Sequence, residues 1–288
     1  MNQAERLREL MAGERLAMAP GASDSLTARL VEQAGFPAVY MTGFGATASR
    51  LGAPDIGLLT QTEMAAHARD MVRAVGIPVI ADADTGYGGP ANIERTVREY
   101  VQAGAAAIHL EDQASPKRCG QMAGVRLIPA EEGARRLQCA LDARGGADLV
   151  VIARTDALAA QGVEEAVRRG NAYRQAGADV VFVDAIRRIA DAEAVARGID
   201  APLMISIVEG NETTQLSADE VKRMGFALAV YPLSALLSAT RAVQDVLAEL
   251  RDRGTTHGKL DRMATYSEFG RVVGLDHYGE LDGRFGSG

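Results

Sequence analysis

Short runs of consecutive apolar and β-branched residues alternate along this chain with longer stretches whose apolar positions recur every three or four residues. The short runs predict β-strands over residues 16–20, 38–42, 78–82, 106–111, 149–154, 179–184, 202–208 and 227–231. Between them the pattern is helical, as in the stripe Ile93, Val97, Tyr100 and Val101 that closes at Gly104. The junctions Gln33-Ala34-Gly35-Phe36, Gln102-Ala103-Gly104-Ala105, Gln175-Ala176-Gly177-Ala178 and Arg223-Met224-Gly225-Phe226 repeat one another just before strands. Glycine there lets a helix end in a left-handed turn and return to the sheet. Most strand runs are close to continuously apolar, so both of their faces should be covered. Eight such strands alternating with helices predict an α/β fold, a (β/α)8 TIM barrel forming a single domain over residues 1–288.

Composition narrows the partners. Acidic residues outnumber basic ones 38 to 31, which argues against nucleic acid or an anionic membrane and in favour of a small molecule. No apolar run is long enough to span a bilayer, and Met1-Asn2-Gln3-Ala4-Glu5-Arg6 lacks a signal core, so a cytoplasmic protein is expected. With two cysteines and four scattered histidines, neither a disulfide framework nor a zinc site is expected.

The polar residues at the strand ends carry the chemistry. Asp82 and Asp84 close an apolar run and, by strand alternation, share a face, where two carboxylates call for a cation of the Mg2+ type or for a proton. Glu111 ends the next strand and is a further ligand candidate, whereas His109 reads as a hydrogen-bonded core residue and Asp55 alone as a turn residue. Asp112, Arg154, Asp156, Asp184 and Glu209 also fall at or just past strand ends, which meet at one mouth in a barrel. Cys119 follows the fourth strand beside Lys117 and Arg118, cations expected to lower its pKa and suit it to act as acid, base or nucleophile. Cys139 sits in a helical run and reads as packing. Arg154 needs an anion, either a substrate carboxylate or phosphate, or an internal partner among Asp156, Asp184 and Glu209. Gly43-Phe44-Gly45-Ala46-Thr47-Ala48 fits a dinucleotide fingerprint poorly and reads better as a backbone cradle for a carboxylate.

Asp82-Ala83-Asp84-Thr85-Gly86-Tyr87-Gly88, Ile108-His109-Leu110-Glu111-Asp112-Gln113, Lys117-Arg118-Cys119-Gly120, Ala153-Arg154-Thr155-Asp156-Ala157 and Tyr231-Pro232-Leu233-Ser234 occur in that order. Together they resemble the isocitrate lyase/phosphoenolpyruvate mutase superfamily, nearest its branch of methylisocitrate lyase, dimethylmalate lyase and carboxyphosphonoenolpyruvate mutase. The resemblance implies Mg2+ (or Mn2+) held directly by Asp82 and through water by Asp55, Asp84 and Glu111. It further implies a substrate cradle at Thr42, Gly43 and Phe44 preceded by Tyr40, a gating-loop Cys119, a carboxylate-binding Arg154 and a glutamate at Glu209. A homotetramer is implied, a dimer of dimers that swap a C-terminal helical extension (residues 240–288), with the tail from Thr265 to Phe285 at a neighbour's active-site rim.

Four departures bear on the substrate. After Cys119 and Gly120 stands Gln121 rather than histidine, Asp184 takes the place of a glutamate, Ser206 that of an asparagine, and Thr214-Gln215 that of a proline-leucine pair. The expected reaction is C–C cleavage of a methylisocitrate- or 2,3-dimethylmalate-like 2-hydroxy acid to a 2-oxo acid and a succinate-like acid, through an enolate protonated by Cys119. Its alternatives are a phosphonomutase, an oxaloacetate hydrolase or decarboxylase, and a non-catalytic barrel that binds a 2-oxo acid.

Overall fold

Eight parallel strands close on themselves in chain order: β1 (Ala17–Ala22), β2 (Val39–Met41), β3 (Val79–Asp82), β4 (Ala107–Glu111), β5 (Val150–Thr155), β6 (Val180–Val183), β7 (Leu203–Ser206) and β8 (Phe226–Tyr231). This is the expected (β/α)8 barrel, seen in a computed structural model that describes residues 2–286. The closure is the β1–β8 ladder, which runs through Pro20 to Tyr231, while Gly21 and Ala22 pair with Tyr40 and Met41 of β2 and carry β1 two residues past the expected end at Pro20.

Strand alternation sorts each run into two faces. Val39 and Met41, Val79 and Ala81, and Val151 and Ala153 point outward and pack under the helices. Their neighbours Tyr40, Ile80, Ala107, Val150, Ile152, Val180, Phe182, Met204, Leu228 and Val230 fill the barrel interior. The next inward positions toward the C-terminal ends are Asp82, Glu111, Arg154, Asp184 and Ser206, so the interior turns polar within one pleat. Register reinforces this, because Asp82 pairs with His109 and Glu111 with Arg154.

The opposite end is plugged. Helix Gln3–Ala12, started by a reciprocal capping box between Asn2 and Glu5, inserts Ala4 and Leu7 into the interior cluster. After β8 the chain continues into helix Ser234–Arg253, within which residue 240 falls. That helix buries no side chain and exposes Leu237, Val243, Leu247 and Leu250. Helices Tyr266–Val272 and Leu275–Phe285 follow, and Gln33 Nε2 donates to the Val272 carbonyl at 3.0 Å, docking the tail on helix Ser25–Gln33 of its own barrel. Among the described residues no helix is long and apolar enough to cross a membrane.

Leu7, fully buried, plugs the barrel floor. Leu7→Ala should therefore lower unfolding free energy by about 2–5 kcal/mol in urea titrations, and a loss below about 1 kcal/mol would show the plug to be dispensable.

Candidate active site

β3 ends at Asp82, and Asp84 reaches the mouth by a different route from strand alternation. Its backbone is left-handed, with φ of 47°, and this turn brings its carboxylate back beside the strand end. Asp82 Oδ1 accepts the Asp84 amide at 2.9 Å, and Asp82 Oδ2 accepts the Gly43 amide at 3.2 Å. A Cβ at Gly43 would collide with Asp82 Oδ2, so glycine is required for this approach. Gly43 is also the first residue of a helix, Gly43–Leu51, capped by Thr42; the glycine-rich cradle is a helix N-terminus.

Lys117 is the residue whose role the sequence misassigned. Read as a neighbour of the thiol, it instead extends to the carboxylates, with Nζ 2.6 Å from Asp55 and 2.5 Å from Asp84. Burial would depress its pKa, but Asp84, Glu111, Asp82 and Asp55 outweigh that and hold the ammonium well above its ordinary value. Arg154 plays the same part on the other side of the mouth, bonding Asp156 through Nε at 3.0 Å and Nη2 at 2.9 Å, and Asp184 through Nη2 at 2.6 Å. Its Nε also lies 3.3 Å from Glu111, and its internal partners are thus Asp156, Asp184 and Glu111 rather than Glu209.

Asp55, Asp82, Asp84, Glu111, Asp156 and Asp184 are all buried at the mouth against two buried cations, Lys117 and Arg154. With all six ionised, four negative charges would lack a counter-charge. Burial pushes Asp84 up to about 6 and raises Glu111 and Asp184 as well. Both Glu111 oxygens are buried with no hydrogen-bond partner. The residues present fit a divalent cation, which would supply the missing charge. Among the described residues no three His, Cys, Asp or Glu side chains converge on one point as direct ligands. The donors are carboxylate oxygens, which suit a hard divalent cation.

A cavity of about 50 Å3 at the mouth is lined by Asp82, Asp55, Tyr40, Thr42 and Arg154 together with Cys119, Gln121, Asp184 and Ser206. Phe44 of the expected cradle lines it too, while sequence reasoning missed Phe182, Val208, Pro232 and Leu233, although Pro232 and Leu233 belong to a recognised motif. Wider clefts, of about 520 Å3 beside Lys117 and 770 Å3 beside residues 121–125, lie outside and gather no thiol, acid and guanidinium together. The cavity is small because the 115–125 loop is seated on it. Cys119 N donates to the Asp55 carbonyl at 3.0 Å, and Gly120 fits so tightly that a Cβ would collide with Asp184, Asp156 and Arg154.

Three expectations are corrected. Cys119 is pushed up to about 11, chiefly by burial, because Lys117 is engaged by carboxylates and Arg118 turns toward the Ala123 carbonyl. Thr214 is exposed in a short 3-10 turn, Glu212–Gln215, where its hydroxyl donates to the Asn211 carbonyl at 2.7 Å. Glu209 is exposed too, accepting a hydrogen bond from Ser234 at the rim, and does not line the cavity. Asp112 points outward, opposite to Glu111, and accepts from Thr155, Tyr173, Arg169 and the Asp156 amide. His109 is a core residue as expected, its Nε2 2.8 Å from the Tyr40 hydroxyl, and Cys139 packs partly under the helices.

Residues 7–251 match the phosphoenolpyruvate phosphomutase family. The chain belongs to the phosphoenolpyruvate mutase/isocitrate lyase superfamily. It is 42% identical to 2,3-dimethylmalate lyase of Eubacterium barkeri over 288 residues, covering 100% of both chains. It is 44% identical to the chloroplastic carboxyvinyl-carboxyphosphonate phosphorylmutase of Arabidopsis thaliana over 284 residues, 97% of this chain and 84% of that one. Among solved superfamily structures, oxaloacetate acetylhydrolase bound to 3,3-difluorooxalacetate superposes with a TM-score of 0.93 at 36% identity, covering 100% of this chain and 98% of that one. Phosphonopyruvate hydrolase, solved with oxalate and Mg++, superposes at 0.89 and 32% identity over 99% of each chain.

Burial disfavours the thiolate of Cys119. Alkylation of Cys119 by iodoacetamide should accelerate with pH to a midpoint of about 11, and a midpoint below the ordinary thiol range would restore the cation-activated reading.

Proposed function

We propose that this enzyme is a Mg2+-dependent carbon–carbon lyase that cleaves a 2-hydroxy dicarboxylate bearing an alkyl group, of the 2,3-dimethylmalate type, to a 2-oxo acid and a saturated carboxylic acid. The observation that carries this reading is the cavity lining: one guanidinium, one thiol kept protonated by burial, and an apolar wall of Phe44, Val208, Pro232 and Leu233. A single cationic side chain suits a dicarboxylate shared between Arg154 and the metal better than a tricarboxylate, whose third carboxylate would face these apolar side chains.

Asp82 would hold the metal directly and Asp55, Asp84 and Glu111 through water. Bound there, Mg2+ would lower the pKa of the substrate hydroxyl and polarise the adjoining carboxylate. The chain's own residues do the rest. Thr42, Gly43 and Phe44 cradle a carboxylate, and Arg154 neutralises it. When the C2–C3 bond breaks, its electron pair passes to the departing fragment as a carboxylate-stabilised enolate, and the hydroxyl carbon becomes a ketone. Cys119 gives its proton to that enolate carbon, and the proton lost by the hydroxyl balances the one the thiol gave. Tyr40, kept protonated by burial, serves as a hydrogen-bond donor and a relay toward His109 rather than as a resident base. Gly120 and Gln121 exclude water while the enolate exists. Asp184 and Ser206 border the side group, and Glu209 shapes the rim.

The same reading places the enzyme in the cytoplasm as a homotetramer, with the exposed apolar face of helix Ser234–Arg253 packed against a partner barrel. The likeness to oxaloacetate acetylhydrolase supports a second reading, cleavage of oxaloacetate.

Incubation with 2,3-dimethylmalate, methylisocitrate, isocitrate, oxaloacetate or phosphonopyruvate, followed by proton and phosphorus NMR, separates these. Dimethylmalate should yield pyruvate, and EDTA should abolish the reaction; preferred turnover of oxaloacetate would change the substrate, and turnover of the phosphonate alone would overturn the lyase. Cys119→Ser should lower kcat by about 10²–10⁴-fold while Mg2+-dependent oxalate binding persists, and unchanged kcat would remove the thiol from the chemistry.

A further inference from the structure

The 115–125 loop is held over the cavity from two sides. On one, the Asp55 carbonyl accepts the Cys119 amide. On the other, Arg187 Nη2 donates to the Gln121 carbonyl at 2.8 Å across 66 residues of sequence.

Arg187 is built to reach that carbonyl. Asp184 ends the inward face of β6, and Ala185 turns left-handed at φ 61°, a conformation a non-glycine residue adopts only when its surroundings impose it. Ile186 is buried to 1% exposure and anchors the segment, so the chain emerges at Arg187 beside the loop. The Arg187 backbone is pinned from below, its carbonyl accepting the Glu212 amide at 2.9 Å while Glu212 Oε2 accepts the Ile189 amide at 3.2 Å. Its side chain is exposed, and among the described residues it pairs with no carboxylate. The gate carbonyl is thus the partner its position provides, whereas the neighbouring Arg188 is paired with Asp191.

We propose that Arg187 is a positioning residue that latches the 115–125 loop shut, holding Gly120 on Asp184 and the Cys119 thiol in the cavity. It touches no reacting atom. A charged donor on a carbonyl at the surface is worth about a tenfold change in the closed population. The latch belongs to the loop and stands whichever carboxylic acid the enzyme cleaves.

Hydrogen–deuterium exchange of the protein alone tests this. In Arg187→Met the amides of residues 119–122 should exchange about tenfold faster than in wild type, with β6 and β7 unchanged. Arg187→Gln, too short to span the same distance, should behave likewise, while Arg187→Lys, which keeps a donor, should restore protection at least in part. Unchanged exchange at residues 119–122 in both shortened variants overturns the latch, as does equal acceleration across β6 and β7, which would mark Arg187 as a structural prop.

Discussion

Uncompensated negative charge at the barrel mouth is the constraint on which the rest of the site depends. The ends of β3 to β6, with Asp55 from a loop, bring buried carboxylates together, and Lys117 and Arg154 are the buried cations that meet them. These two differ in kind. Arg154 is fixed on β5, but Lys117 stands on the loop that covers the cavity, so the seat of that loop includes two buried ion pairs to Asp55 and Asp84. Removing one partner from a buried ion pair typically costs about 3–5 kcal/mol, which ties the loop's position to the charge it brings.

A second network works behind the first. Because alternation turns Glu111 inward and Asp112 outward, adjacent acids serve opposite faces of one strand. Asp112 ties the ends of β4 and β5 to helix Val163–Gln175 through Thr155, Arg169 and Tyr173. Arg154 is thereby held at its base as well as by its own carboxylate partners. Precision at the mouth rests on polar contacts buried outside the barrel.

The eight strands were legible because each is a near-continuous apolar run, and Asp55, Asp82, Tyr40, Thr42, Cys119, Arg154, Asp184 and Ser206 do come together. What the chain's pattern did not disclose is where loop side chains point. Lys117 and Cys119 are two residues apart, yet the ammonium goes to Asp55 and Asp84 while the thiol is buried in the cavity beside Asp184 and Arg154. The outward aim of Thr214 is equally invisible in sequence, since it follows from a single turn of 3-10 helix that buries Thr213 instead. Asp84 arrived on the expected face by a left-handed turn that alternation does not describe. Asp82 needed only its place in a strand.

Arg187 grips the main chain of Gln121, while the same residue's side chain lines the cavity. On the roles proposed above, closing and choosing would fall to different atoms of one residue. A carbonyl is present whatever amino acid occupies the position, so a substitution at residue 121 would change the lining and leave the acceptor for Arg187 in place. This separation offers a route by which a barrel of this kind acquires new substrates one substitution at a time.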